Sequence, residues 1–497
     1  MKENLTKQIY LTASKFGIKA LKPYQILVIN RIMEQEDLDA VRNQIVVLPT
    51  GTGKSACFLI PAMLCNGITV IVYPLLALIN DQCLKLDACK ADYICIKGGL
   101  TNQERHNLFK KLDNGTRIVI TTPESLKRSD TLAVLKRKPI SLFVVDEAHV
   151  ISQWGKSFRP AYIDLRNAII QLRPHQTLAF TATASEQTIK DITHCLFFSK
   201  PLIVRGDADR PNIIYSRYLS LDRKHAVYDL VMANKKPAIV FCQKRNSTFD
   251  ISFYLKLQNP KLDVRYYHAG LSSDERKEIE TWFMKSKDGI LVSTSAYGMG
   301  VDKKDIRTII HTRLPQSAEE YLQESGRAGR DEKTSKAWVI VTVADLYQQD
   351  YSPLLSVFKG NECRRSALLK FMNQDKNECT GCDVCLKKTT NTAFGEYQIK
   401  ALIKSAPFRF NPGKASYLLC SSQSLNKNLR FRYSPLYSTL KDYNPRAIRK
   451  TIQTLASDKV DYPIKSISVK NYGDLLYPSD NKLCCFIAFV IKSVFKL

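Results

Sequence analysis

The sequence predicts an α/β protein. Two tandem doubly wound parallel-sheet domains are followed by a small helical module built on four cysteines and a basic C-terminal domain. Three observations predict this. Short apolar runs alternate with longer helical segments, twice over, on either side of a breaker-rich stretch at 206–212. A glycine turn between two apolar segments occurs in the first series and has no counterpart in the second. Past the second series, Cys363, Cys379, Cys382 and Cys385 fall at C-x15-C-x2-C-x2-C.

The chain's 497 residues give room for three or four domains, and 44% hydrophobic residues supply their cores. Lys and Arg number 74 against 47 Asp and Glu, a net charge of +27 that favours a polyanionic partner, most simply nucleic acid. No apolar run approaches the roughly 20 residues that cross a bilayer, and no N-terminal stretch has the make-up of a secretory signal, so no membrane role is expected. Most of the 14 cysteines lie singly in apolar segments (Cys57, Cys65, Cys95, Cys242), where a reduced thiol packs as a small hydrophobe. A reducing compartment is expected: the cytoplasm with its nucleoid in a bacterium, the nucleus in a eukaryote.

In chain order, Leu21-Lys22-Pro23-Tyr24-Gln25 predicts a helix start after Pro23. The Gln25 amide is placed to offer donor and acceptor to an adenine edge. Residues 45–48 predict a buried strand, and 56–64 a helix. Between them lies Leu48-Pro49-Thr50-Gly51-Thr52-Gly53-Lys54-Ser55, a phosphate cradle. Its backbone N–H groups, from Thr50 to Gly53, close around phosphate oxygens, Lys54 reaches the β- and γ-phosphates, and the Ser55 hydroxyl ligates Mg²⁺. Leu48 stands where the strict motif has glycine, which makes this the shorter variant.

Strand-like runs at 69–73, 93–96 and 117–120 alternate with helical ones and lead to a strand at 140–145 that ends in Asp146-Glu147-Ala148-His149. A carboxylate at a strand's C-terminal end, opposite a phosphate loop, holds Mg²⁺, and its neighbour orients or deprotonates water. Asp146 is assigned to the metal and Glu147 to the water, so ATP hydrolysis is expected. The following segment, 152–162, is a poor helix and a poor strand. Read as a loop, it stacks Trp154 and Phe158 on bases and sets Arg159 on phosphates; the alternative is that its rings plug the sheet edge. Phe180-Thr181-Ala182-Thr183 follows as a strand that turns into a hydroxyl-rich loop.

The second series predicts strands at 238–242, 264–267, 289–293 and 308–311, then Gln323-Glu324-Ser325-Gly326-Arg327-Ala328-Gly329-Arg330-Asp331. Arg327 and Arg330, three apart among glycines, suit the γ-phosphate of ATP held by the first domain. The cysteine spacing predicts a closed four-thiolate Zn²⁺ site of structural type. From 386 to 497 there are 19 Lys and Arg against 6 Asp and Glu, nearly half of the chain's excess. Helical patterns at 397–404, 415–425 and 445–458 precede a hairpin pattern at 464–477, whose turn carries Tyr472; Arg446, Arg449 and Lys450 are candidates for phosphate contact.

The phosphate loop, the Asp-Glu-Ala-His box, the aromatic segment 152–162, Thr181-Ala182-Thr183, Tyr297-Gly298-Met299-Gly300 and 323–331 occur in an order that resembles superfamily 2 helicases, and specifically the RecQ family of DNA helicases, over residues 10–390. The resemblance implies two RecA-like lobes at 1–205 and 206–345, a zinc module at 346–390 and a divergent winged helix at 391–497. It implies ATP, Mg²⁺ and a structural Zn²⁺ as cofactors, and 3′ to 5′ translocation with duplex unwinding in recombination and repair. Lys54, Asp146 and Glu147 would serve hydrolysis, Arg327 and Arg330 would act as arginine fingers, and Trp154, Phe158 and Arg159 would couple DNA to ATP. The expected partners are single-stranded and forked DNA, with a single-strand-binding protein as a further candidate, and the expected state is a monomer. The chain departs from the family pattern at Lys156-Ser157, Leu21-Lys22, Ala77 and Arg313. Two rivals stay open at this point: an RNA helicase or remodeller, and a DNA-binding scaffold with impaired ATP coupling.

Overall fold

A computed structural model describes residues 2–34, 43–49, 51–154, 164–297, 303–347, 353–375, 378–405, 411–420 and 436–457. Its first sheet comprises β1 (Gln44–Val47), β2 (Ile68–Val72), β3 (Tyr93–Ile96), β4 (Ile118–Thr121), β5 (Ile140–Val145), β6 (Gln176–Thr181) and β7 (Leu202–Arg205). The strands lie in the order β3-β4-β2-β5-β6-β1-β7, and every pairing is parallel. Strands such as Gln44–Val47 and Ile68–Val72 are buried along their whole length because helices cover both faces. Successive side chains therefore enter different cores. Ile45 and Val47 join Val70, Phe143 and Ala179 on one face, while Val46 and Leu48 join Phe58, Ile71 and Phe180 on the other.

The second sheet comprises β8 (Ile213–Ser220), β9 (Ala238–Phe241), β10 (Val264–Tyr267), β11 (Ile290–Ser293), β12 (Thr308–His311) and β13 (Ser335–Thr342), in the order β10-β11-β9-β12-β13-β8, again wholly parallel. One face buries Val240, Ile310 and Ile340 against the helices Arg223–Ala233 and Arg245–Gln258. The other face carries Ile239, Phe241 and Ile309 into a core that continues through Phe358, Leu368, Leu402, Leu419 and Ile448. The cysteine module and the described part of the basic region thus share one core with the second sheet. Three helices there, Glu396–Ser405, Pro412–Cys420 and Pro445–Ser457, overlap the patterns at 397–404, 415–425 and 445–458; the second starts three residues earlier, and 421–425 lie outside the described residues. Arg446, Arg449 and Lys450 lie on the exposed side of the last, whose Ile448 and Ile452 are buried. The hairpin expected at 464–477, with Tyr472, lies outside the described residues, so a winged helix is not established. No described helix is long and apolar enough to cross a membrane.

The stretch 206–212, a linker by composition, is pinned along its length. The Ala208 N–H donates to Gln374 Oε1 (2.9 Å), and Gln374 Nε2 donates to Gly206 O (2.9 Å). Arg365 reaches out of the cysteine module to the Asp209 carboxylate, to Arg210 O (3.0 Å) and to Ile213 O (2.6 Å). Beside it, Arg364 pairs with Asp383 (3.0 Å). Both arginines are almost fully buried, at 0% and 1% exposure, so each needs its partner to offset the loss of hydration. Asp209→Ala strands the Arg365 guanidinium and is expected to lower unfolding free energy by about 3–5 kcal/mol in a denaturant titration, with Asp209→Asn milder because an acceptor remains.

Candidate functional site

Parallel sheets present the C-terminal ends of their strands along one edge, where ligands bind. In the first sheet β6 separates β5 from β1, so the turns that follow these three strands are neighbours. The turn after β1 is the phosphate loop. Gly51 and Gly53 sit at φ +80° and +81°, the left-handed region that a side chain resists, and Gly53 is the N-cap of the helix Lys54–Leu64. Both glycines are also approached closely. A Cβ on Gly53 would lie 2.7 Å from Gln25 Nε2, and one on Gly51 would lie 3.3 Å from Arg330 Cγ of the second lobe.

Gln25 is engaged on both sides of its amide. Its Oε1 accepts the Lys22 N–H (2.8 Å), which closes the first turn of the helix Pro23–Met33, and its Nε2 donates to Thr52 O and Gly53 O (3.2 Å each). The Tyr24 hydroxyl donates to Thr52 O as well (2.9 Å). Two adjacent side chains thus hold the phosphate loop from behind. Thr50 lies outside the described residues; Thr52 closes the loop on itself by donating to Pro49 O (2.7 Å).

The turn after β5 carries the acidic pair. Asp146 continues the sheet through its N–H to Val72 O (3.0 Å), and its Oδ1 accepts the Glu147 N–H (2.9 Å). That bond holds Glu147 at φ +50°, a conformation that non-glycine residues adopt at a cost and chiefly at functional sites. Lys54 Nζ stands 3.7 Å from Glu147 Oε1, and His149 Nδ1 stands 3.4 Å from Glu147 Oε2. Burial and the neighbouring Glu147 charge push the Asp146 carboxyl up, to about 7, against the pull of Lys54. Burial raises Glu147 too, but Lys54, His149 and Arg327 outweigh it and hold that carboxyl below its ordinary value. The turn after β6 closes the group: Thr181 Oγ1 lies 3.1 Å from His149 Nδ1 and donates to Thr183 O (3.0 Å).

The second lobe brings its arginines to the same place. Arg330 lies over Gly51, and buried Arg327 is close enough to act electrostatically on Glu147. Burial and the charge of Arg330 lower the Arg327 guanidinium to about 10, so a cleft that concentrates positive charge is set against the phosphate loop. Residues that sequence reasoning did not single out hold this loop. Arg210 donates to Gly326 O (3.0 Å), Ala328 O (3.2 Å) and Gly329 O (2.9 Å), and Asn212 Nδ2 donates to Gly329 O (2.8 Å) and Lys333 O (3.0 Å). Gly329, at φ +54°, has room for no Cβ: Asn212 Nδ2 would be 2.5 Å away. Arg307 grips Asp331, and buried His311 pairs with Glu324 (3.0 Å) to seat the helix Ala318–Ser325 on β12.

The donor set suits a magnesium-bound triphosphate. Lys54 Nζ is buried and makes no hydrogen bond among the described residues, nor does Glu147 Oε2. Buried Asp146 and largely buried Glu147 share the charge of one lysine, a set that a cation at the carboxylates and an anion at Lys54 would complete. Of the nucleic-acid residues read from sequence, Trp154 ends the helix Val150–Trp154, while Phe158 and Arg159 lie outside the described residues.

The Sγ atoms of Cys363, Cys379, Cys382 and Cys385 all lie within 4.8 Å of one another. Tetrahedral Zn–S bonds of about 2.3 Å set sulfurs about 3.8 Å apart, so little movement would be needed to close on an ion. Backbone N–H groups of Ser366 and Cys385 already donate to Cys363 Sγ (3.5 Å) and Cys382 Sγ (3.4 Å), as they do to metal-bound thiolates.

Residues 22–192 match the family model for DEAD/DEAH box helicase and residues 222–332 that for helicase conserved C-terminal domain. The chain is 34% identical over 338 residues to the probable ATP-dependent DNA helicase RecS of Bacillus subtilis, covering 67% of each. It is 32% identical to ATP-dependent DNA helicase RecQ of Pasteurella multocida (71% of this chain, 59% of that protein) and 30% identical to ATP-dependent DNA helicase Q-like 2 of Arabidopsis thaliana (86% and 63%). The chain therefore spans about three fifths of the length of these last two relatives. Among solved structures, DEAD-box helicase Mss116 bound to ssRNA and UDP-BeF superposes with a TM-score of 0.59 at 20% identity, covering 91% of this chain and 90% of that one, a likeness of fold alone. Both family models fall on the two sheets in order, the lobes meet at a phosphate loop, and a relative at 34% identity is matched over two thirds of its length: the chain belongs to the RecQ family of superfamily 2 helicases.

Proposed function

We propose that the chain is an ATP- and Mg²⁺-dependent DNA helicase of RecQ type, which moves 3′ to 5′ on single-stranded DNA and opens duplexes in recombination and repair. The observation that carries this reading is the placement of Arg330 over Gly51, with Arg327 beside Glu147. A triphosphate in the loop would meet charge from both lobes at once. Bound MgATP supplies the anhydride whose cleavage drives the cycle. Ser55 and Asp146 would hold the metal, and Lys54 with the N–H groups of the phosphate loop would hold the phosphates.

Glu147, kept ionised by Lys54, His149 and Arg327, orients the attacking water. Arg327 and Arg330 stabilise charge on the terminal phosphate, and with that charge gone the attraction between the lobes falls. Gln25 ties the loop to the helix Pro23–Met33, so an adenine contact there would be felt at the phosphates. Trp154, Phe158 and Arg159 are proposed to pass the DNA signal to Glu147, which lies seven residues before Trp154 in the chain. The net charge of +27 supports a polyanionic track, the relatives named as DNA helicases favour DNA over RNA, and single-stranded and forked DNA are the proposed substrates. The four-cysteine group is proposed to hold a structural Zn²⁺. The domain limits proposed are 1–205, 206–345, 346–390 and 391–497, for a chain that acts as a monomer.

Strand displacement on forked DNA with a 3′ or a 5′ tail tests the polarity, and a parallel RNA substrate tests the choice of strand; displacement from the 5′ tail alone would reject the reading. Lys54→Ala is expected to bring DNA-stimulated phosphate release to background while the cooperative unfolding transition survives. Elemental analysis should find one zinc per chain, and Cys379→Ser should lose the metal and lower the midpoint of thermal unfolding.

A further inference from the structure

Among the described residues, four helices close their first turn through the side chain at the third helical position, which accepts the N–H of the residue before the helix. Thr101 N–H donates to Glu104 (2.7 Å), Ser272 N–H to Glu275 (2.8 Å), Thr342 N–H to Asp345 (2.7 Å) and Lys22 N–H to Gln25 (2.8 Å). The helix Glu186–Leu196 keeps half of this pattern. Ser185 Oγ accepts the Thr188 N–H (3.2 Å), but Thr188 has no carboxylate to return to the Ser185 N–H. The missing oxygen comes from elsewhere. Glu319 Oε1, 134 residues away and on the second lobe, accepts the Ser185 N–H and also the Thr188 hydroxyl (2.9 Å).

We propose that Glu319 is a positioning residue that caps this first-lobe helix in trans, so that the cap is complete only while the lobes are closed. A carboxylate at a helix N-terminus gains from the helix dipole as well as from the hydrogen bond, and the bond is charge-assisted. The capped helix begins directly after Thr181-Ala182-Thr183-Ala184, and Thr181 touches His149 beside Glu147. At its other end Glu319 belongs to the first turn of Ala318–Ser325, which runs into the loop of Arg327 and Arg330 and is seated on β12 by the His311–Glu324 pair. Arginines and cap carboxylate therefore travel as one segment. When the arginines leave the phosphate loop, the Ser185 N–H loses its acceptor, and the turn behind the acidic pair loosens. The cysteine module steadies the same helix start through Asn373 Nδ2 to Glu186 Oε1 (2.9 Å), and β7 does so through Arg205 Nη1 to Ala184 O (3.3 Å).

This inference rests on the proposed ATP-driven closure, and its test separates the two. Amide hydrogen exchange at 185–188 is followed with and without a non-hydrolysable ATP analogue plus single-stranded DNA, alongside the DNA-stimulated kcat. In the wild type, nucleotide and DNA together are expected to slow exchange about tenfold, the scale of one bond to a charged group. Glu319→Ala should lose most of that protection and about tenfold in kcat, while Glu319→Gln, which keeps an acceptor without the charge, should lose less of both. Adding Thr188→Glu to Glu319→Ala returns a carboxylate to the helix's own third position. Exchange should then be slow whether or not nucleotide is present, the thermal midpoint should recover, and kcat should stay low. Wild-type protection and turnover in both Glu319 variants would overturn the proposal, and so would recovery of kcat in the double variant, because helix stability alone would then explain the effect. A wild type that shows the nucleotide-dependent protection without turnover would overturn the hydrolysis reading and support the cap.

Discussion

Charge taken out of water, and only partly matched, is the constraint from which the cleft follows. Lys54, Asp146 and Arg327 are buried and Glu147 largely so, two cations and two acids within electrostatic reach, with Arg330 adding a third cation over the phosphate loop. Pairing inside the group is loose: the Lys54–Glu147 distance is 3.7 Å, and Asp146 is pushed toward protonation. Such a set is costly as a permanent core and well suited to a ligand that carries both signs. The backbone around it is correspondingly constrained, with glycines at positive φ under the phosphates and Glu147 itself in the left-handed region.

The scaffold that tolerates this is rigid where charges must be aimed. The arginine loop is held by Arg210 and Asn212, these residues lie next to Asp209, and Asp209 is held by Arg365 of the cysteine module. Two hydrogen-bonded steps and the short stretch of backbone between them thus join the cysteine module to the loop that carries the guanidinium groups at the cleft. A metal that orders Cys363 to Cys385 would accordingly set the aim of residues remote from it, which gives a structural ion a part in the chemistry without contact.

Much of the site was legible because its signals are local. A strand, two glycines, a lysine and a hydroxyl lie within a dozen residues, and acidic groups at a strand end or thiols two residues apart need no partner from afar to be noticed. What escaped was long-range. β8 and β13 did not read as strands; in β8 Arg217 interrupts the apolar run, yet it is buried, its guanidinium donating to Phe358 O (3.0 Å) and Thr390 O (2.7 Å). Arg210 and Asn212 read as a polar connector because the carbonyls they serve lie more than a hundred residues on. Gln25 was read toward a base. Its neighbours in space, the carbonyls of Thr52 and Gly53, show that one amide can serve a helix start and a phosphate loop together. The Ser185 helix resembled any other, because the carboxylate that completes its cap lies 134 residues on.

The second sheet's shared face has a consequence for anyone cutting the chain. A fragment trimmed to the matched span 222–332 would discard two neighbouring strands, β8 and β13, and expose the edge of β12. Even one that ran on through β13 would lose part of the lid over the face that carries Ile239, Phe241 and Ile309, because that core continues into 353–457. The sensible unit for expression is set by where that lid ends and not by where the helicase signature does.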